Sequence, residues 1–503
     1  MADNAPDIAT DTTQDDATYD HVIKYTGLFG GVQGITMLVS LVRDKIVSVL
    51  LGPDGLALIN IYNNVIKLVN QSTNFGLSFS AVKHVAELFE VGSAEDVRGF
   101  VRTVRTWSIF TALLGVLVCL ALSQYLSYWT FGNYDYAHDF AMISIVVGVL
   151  AVQGGEMAIL KGLKQLKKVA VISVYGAVAT LAICAPIYFL MGIDGIVLSL
   201  VLCSVAMLAI HLHFSTKVVP WSLALFSRAE YSNGLPMLKL GVGYIIAGIF
   251  GQGAEYVIRT LILQFGELAD VGLYNSGYVL AVTYANIVFV AFEADYFPRL
   301  SASQHDVQKQ NQTVNQQIQV SVLLMAPLLI FVVLAMPVIV PLLFSSKFVA
   351  AVPMAICASF YMFFKALTLP AAYLALAKGD SRMYMTTELV YDIFIAIAIP
   401  LAFRQWGLIG AGWALSAGGL LDLLLIHIIY RYRYNFRFDM SNVKLYVFQF
   451  LLFLAAVLAA LHDNPWLRIV TALALMASAT LSFRVLKRET NVISKIKRRI
   501  WRK

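Results

Sequence analysis

Fourteen apolar stretches, each long enough to cross a bilayer, follow one another along 503 residues with only short polar or Gly/Pro interruptions. They fall at about 24–51, 56–80, 106–126, 139–159, 169–191, 193–214, 238–265, 271–295, 318–343, 353–377, 383–402, 407–429, 445–461 and 466–485. A spanning helix needs about 20 apolar residues. Backbone polar groups in hydrocarbon must be satisfied within the protein, so a series of this kind predicts an all-α bundle. Composition agrees: 59% of residues are hydrophobic and 13% charged, with mean hydropathy +0.74. Soluble domains carry about 25% charged residues. A soluble enzyme, a nucleic-acid-binding module and a disordered scaffold are thereby excluded, and the chain reads as a multi-pass membrane protein.

The distribution of charge sets the expected orientation. An even number of spans puts both termini on one side. With that side cytoplasmic, 29 of the 37 Lys and Arg lie in inner segments or at adjoining span ends. Only Lys347, Arg404 and Arg468 lie outside, and Arg43, Lys45, Lys67, Arg259 and Lys365 fall within spans. This is the positive-inside pattern. It predicts fourteen spans with both termini cytoplasmic. Residues 1–22 include six Asp and no Lys or Arg, and are expected to be a disordered cytoplasmic tail without a removable leader. Residues 487–503 are a basic tail suited to anionic headgroups. The external connections are too short for a periplasmic domain. Cys119, Cys184, Cys203 and Cys357 lie in apolar runs and read as core residues.

A faint duplication suggests two lobes. Arg43, a turn at Gly52 and a span ending near Ala81–Glu87 are echoed by Arg259, a turn at Gly266 and a span ending at Ala294–Leu300. Six helices per repeat preserve orientation, so the halves would be related by a pseudo-two-fold axis along the membrane normal. The expected organisation is an N-lobe at 23–215, a cytoplasmic linker at 216–236, a C-lobe at 237–430, and two further spans at 431–486.

Polar residues inside the spans are the candidates for function. In the second span Asn60, Asn63, Asn64, Lys67, Asn70, Gln71, Asn74 and Ser78 recur at steps of three and four, which places them on one helical face. Buried amides need water or partners, so the stripe predicts a hydrated cavity lining; interhelical bonding is the alternative. The first span offers Gln33, Thr36, Ser40 and Arg43, with Asp44 beside the arginine. In the seventh, Glu255 and Arg259 stand four residues apart, suited to a salt bridge or a substrate site. Lys365 is a further intramembrane cation, with pairing to a carboxylate as its alternative role. Embedded cations dominate the first half and carboxylates the second. Cationic Arg43, Lys67, Arg259 and Lys365 suit a phosphate-bearing substrate. Glu255 and Asp422 are the candidate coupling sites for Na+ or H+. Walker A, H-E-x-x-H and paired Cys-x-x-Cys patterns are absent, so no catalytic residue, metal or cofactor is expected.

The stretch from Leu41 to Phe89, LVRDKIVSVLLGPDGLALINIYNNVIKLVNQSTNFGLSFSAVKHVAELF, resembles the N-terminal region of bacterial polysaccharide-export flippases. These belong to the multidrug/oligosaccharidyl-lipid/polysaccharide exporter superfamily. The resemblance is to the O-antigen or enterobacterial-common-antigen (Wzx-like) type, and VRDKIV is also similar to the lipid II flippases. It implies two six-helix lobes around a central cavity, exporting an undecaprenyl-pyrophosphate-linked glycan for lipopolysaccharide by alternating access. Arg43 and Lys67, and less directly Arg259, would be the cavity cations. Partners implied are the lipid-linked glycan, the bilayer and other polysaccharide-assembly proteins, with no nucleic acid. A cation-coupled multidrug exporter and a membrane-embedded glycosyltransferase or polymerase are the competing readings.

Overall fold

The computed structural model describes residues 32, 34–224, 228–303, 306–462 and 465–490. The expected acidic tail, Gln33 and positions 491–503 of the basic tail lie outside the described residues. All fourteen stretches are largely helical where they are described, and there is no strand among the described residues. The helices are α1 (34–50), α2 (Gly52–Thr73), α3 (Leu77–Val91), α4 (Ala94–Phe131), α5 (Ala137–Gly162), α6 (Leu166–Met191) and α7 (Gly195–Thr216). They continue as α8 (Arg228–Phe265), α9 (Leu268–Tyr278), α10 (Tyr284–Ala302), α11 (Val307–Leu343), α12 (Val352–Ala377), α13 (Ser381–Tyr434), α14 (Met440–Ala460) and α15 (Pro465–Thr490).

Irregularities occur at three places along the spans. The second span is broken: α2 ends at Thr73, Phe75 and Gly76 take positive φ (48° and 68°), and α3 restarts at Leu77. Asn74 Nδ2 bridges the break by donating to Ser78 Oγ at 3.1 Å. The amide stripe therefore runs continuously only along α2. The eighth span passes through a π-helical turn, Val279–Thr283, between α9 and α10. The eleventh and twelfth are joined as α13 across a kink at Trp406 and Gly407, where Gly407 has φ 60°. Glycine accepts that conformation without steric cost.

The chain divides into two compact units. Unit one comprises Met1–Leu50, Val69–Ser123 and Ala137–Ile245; unit two comprises Leu51–Leu68, Gln124–Tyr136 and Ile246–Lys503. In unit one, α5 packs against α3 and α7. In unit two, α12 lies against α13 through small residues: a Cβ on Gly412 would stand 2.5 Å from the Met354 carbonyl oxygen, and Ser416 donates to the Cys357 carbonyl at 2.6 Å. Lipid provides no hydrophobic drive between helices, so close approach of small residues supplies the van der Waals contact.

The last two helices are integral to unit two. Phe453, Val457 and Ala474 are buried in the same core as Phe363 and Met325. Ser478 donates to Gln449 Oε1 at 2.6 Å and joins α15 to α14. Asn311 and Asn315 of α11 bind the α13–α14 connection as a strand would. Asn311 donates to the Asn435 carbonyl and accepts from the Arg437 amide, at 3.0 and 3.2 Å. Asn315 repeats this with the Arg437 carbonyl and the Asp439 amide, both at 2.8 Å.

Two outcomes test the fold. Gly412→Val should lower the unfolding midpoint of the detergent-solubilised protein by about 1–3 kcal/mol, the cost of overpacking. Cysteines at exposed Asn133 and Ser346 should react with an impermeant thiol reagent on intact cells, whereas those at Glu95 and Gln308 should react only after permeabilisation. The reverse pattern would invert the topology.

Candidate functional site

Unit two gathers most of the embedded polar residues around Arg259. Every fourth residue of a helix shares a face, so α8 brings Glu255 beneath Arg259. Nη1 donates to the Glu255 carbonyl at 3.0 Å and its carboxylate at 3.1 Å. Nε donates to Asn275 Oδ1 of α9 at 2.7 Å. Asn64 of α2 completes the cluster: with its amide oxygen turned to the guanidinium, it accepts from Nη1 at 3.0 Å and Nε at 3.1 Å. Arg259 is only 7% exposed. Its Nε and Nη1 donate to the protein, and it fastens three helices together.

A second pair lies between α12 and α13. Lys365 Nζ is 3.7 Å from Asp422 Oδ2, and their side chains are 18% and 8% exposed. The ammonium also lies 5.9 Å from the Tyr361 ring centroid and 6.0 Å from that of Tyr391. Both carboxylates singled out as coupling sites thus have basic partners, Glu255 with Arg259 and Asp422 with Lys365. Asp392 lines a nearby cavity of about 320 Å3 with Ile246, Phe250 and Arg382.

The remaining residues of the stripe are more open. Lys67 is exposed and has no ion-pair or hydrogen-bond partner among the described residues. Asn60 and Asn63, in unit two like Lys67, are half-buried, and Asn60 donates to the Leu56 carbonyl at 2.7 Å. Asn70 and Asn74 belong to unit one. Asn70 donates to the Val147 carbonyl at 3.3 Å, and Asn74 is buried against Ser78. The face opposite, with Tyr62, Ile66 and Val69, is buried in protein. Arg43 is in unit one, 41% exposed, and its guanidinium holds the neighbouring Asp44 carboxylate at 2.8 Å.

Sequence reasoning missed one polar centre. Arg105 of α4 and Glu156 of α5 form an ion pair with both side chains 1% exposed, Nε to Oε1 2.9 Å. Ser215 of α7 donates to the same carboxylate, and Arg105 donates to the carbonyls of Val219 and Pro220 at 3.1 and 2.7 Å. Trp221 covers the guanidinium at 4.7 Å. Glu156 lies within the fourth apolar stretch, so it belongs among the embedded charges of the first half. Arg105 was indistinguishable from the loop basics beside it.

Helices of bilayer length, several of them joined by buried ion pairs, define a multi-pass membrane protein. The fold is that of the MOP superfamily. A multidrug resistance MATE family transporter of that superfamily, in its inward-facing conformation, matches with TM-score 0.68 at 13% identity, over 80% of this chain and 94% of that chain. The lipid II flippase MurJ, inward closed conformation, matches with TM-score 0.67 at 12% identity, over 92% of this chain and 99% of that chain. The chain belongs to the polysaccharide biosynthesis protein family, whose pattern matches residues 46–353. The lipid III flippases of Escherichia coli (strain K12) and Shigella flexneri are each 24% identical to it over 269 residues, 52% of this chain and 62% of theirs. The match thus spans less than two thirds of the length of those relatives.

The buried pair of unit one gives a stability prediction. Arg105→Ala leaves Glu156 uncompensated and should cost about 3–5 kcal/mol. Arg105→Met with Glu156→Leu should recover most of that in the unfolding midpoint.

Proposed function

We propose that the protein is a flippase that moves an undecaprenyl-pyrophosphate-linked oligosaccharide, an O-antigen or related surface-polysaccharide unit, from the cytoplasmic to the periplasmic leaflet by alternating access. The observation that carries this reading is α2, a membrane helix bearing an exposed Lys67, unpartnered among the described residues, in line with half-buried Asn60 and Asn63. An ammonium in hydrocarbon is costly unless it faces water or a counter-charge, and a pyrophosphate supplies one. The family, and the similarity to lipid III flippases and to MurJ, support a lipid-linked glycan as the cargo. Half-exposed Arg43 of unit one is proposed on its own account as a phosphate-binding cation; Arg259 and Lys365, held by carboxylates, act as positioning cations. The proposed setting is the bacterial inner membrane with both termini cytoplasmic, the chain grouped into two six-helix lobes and two added spans, beside other polysaccharide-assembly proteins.

The driving force comes from charge. A lipid pyrophosphate diester carries about two negative charges, and moving one charge through the membrane potential is worth ~2.3 kcal/mol per 100 mV. Outward passage in a membrane negative inside is therefore downhill by about 4–5 kcal/mol per 100 mV if the protein's own charges stay fixed. Return of the empty carrier is assigned to a cation, Na+ or H+, acting at the carboxylates of unit two, with Glu255 and Asp422 as its sites.

Arg43→Ala and Lys67→Ala should each abolish complementation of a flippase-deficient strain at normal protein abundance. Collapsing the membrane potential in proteoliposomes should slow outward flipping. Full activity of both variants would remove the proposed phosphate site, and flipping indifferent to potential and ion gradients would leave only passive facilitation.

A further inference from the structure

Asp422 cannot stand alone where it lies. Its side chain is 8% exposed within a helix of membrane-spanning character, and an ionised carboxylate in such surroundings requires a positive partner. That partner is covalently part of the chain. Lys365 reaches from α12 to within 3.7 Å of Oδ2. This is longer than a hydrogen bond, so the contact is one of charge rather than of a fixed donor geometry. The ammonium is flanked by the faces of Tyr361 and Tyr391, a setting that suits a cation. Glu388 and Tyr384 of α13 also lie within its electrostatic reach. The backbones on either side are close: a Cβ on Gly419 would be 3.0 Å from the Tyr361 ring and 3.2 Å from its Cα. The ammonium thus sits between two helices beside the Asp422 carboxylate, the kind of oxygen donor a dissolved monovalent cation would use.

We propose that Lys365 is the resident cation of unit two: its tethered ammonium fills the position opposite Asp422 that would otherwise bind Na+. A lysine and a sodium ion carry the same charge, but the lysine is held by a four-carbon stem and cannot be washed out or exchanged with solvent. The consequence for transport rests on the flippase reading: the coupling ion at Asp422 is not sodium, which leaves H+ for that carboxylate.

The test uses the purified full-length protein in detergent. Its thermal midpoint is followed by tryptophan fluorescence in NaCl and in choline chloride at equal ionic strength. The wild type should have the same midpoint in both salts. Lys365→Met should melt lower than the wild type in choline chloride and be raised by NaCl, because Asp422 is then open to the free ion. Should that variant fail to accumulate, Lys365→Gln keeps a polar side chain in the slot and should show the same Na+-dependent rise. A Na+-dependent rise in the wild type, or lysine variants as indifferent to Na+ as the wild type, would overturn the proposal. None of these readings needs transport. Failure to flip lipid-linked oligosaccharide in proteoliposomes would therefore sink the flippase reading while leaving the resident cation standing.

Discussion

The structure depends on keeping no charge unaccompanied in hydrocarbon. Born-type desolvation makes a lone buried ion cost several kcal/mol even after relaxation. The helices answer this by presenting opposite charges at matching depths. Glu156 meets Arg105 across α4 and α5, Asp422 meets Lys365 across α12 and α13, and Glu255 meets Arg259 one turn along α8. The two pairs that cross between helices also fix a helix position, because moving either element would separate the charges. Lys67 breaks this rule, exposed and unpartnered among the described residues, and it carries the functional argument.

Pairing also decides which polar residues can meet a substrate. The guanidinium of Arg259 is already committed to Glu255, Asn275 and Asn64, and displacing those partners would leave a carboxylate and two amides unsatisfied. The same residue type at position 43 is half-exposed with one carboxylate beside it. Position on the helix, rather than residue identity, separates a strut from a ligand.

Much of the fold could be read from the amino-acid order, because bilayer thickness sets helix length and apolar runs register it directly. The fourteen stretches and the connection at Gly407 reflect that constraint. The break at Phe75 and Gly76 did not show, since the step-of-three-and-four polar pattern runs across it without interruption. The site was legible in part. The Glu255–Arg259 pair and the neighbours Tyr361 and Lys365 are local and come from spacing alone, whereas Asn275 and Tyr391 join their charged neighbours only through packing between helices. The Arg105–Glu156 pair is separated by 51 residues, and no periodicity connects its members.

The amide clamp on the α13–α14 connection also orders events in time. Asn311 and Asn315 are synthesised well before the backbone they bind, with separations of up to 126 residues. At about 5–20 residues per second, their side chains wait roughly 6–25 s on the ribosome's schedule before Asn435–Asp439 can reach them. During that interval the N-terminal turns of α11 lack their bonds to the later chain. A polypeptide stopped after α13 would never make these contacts.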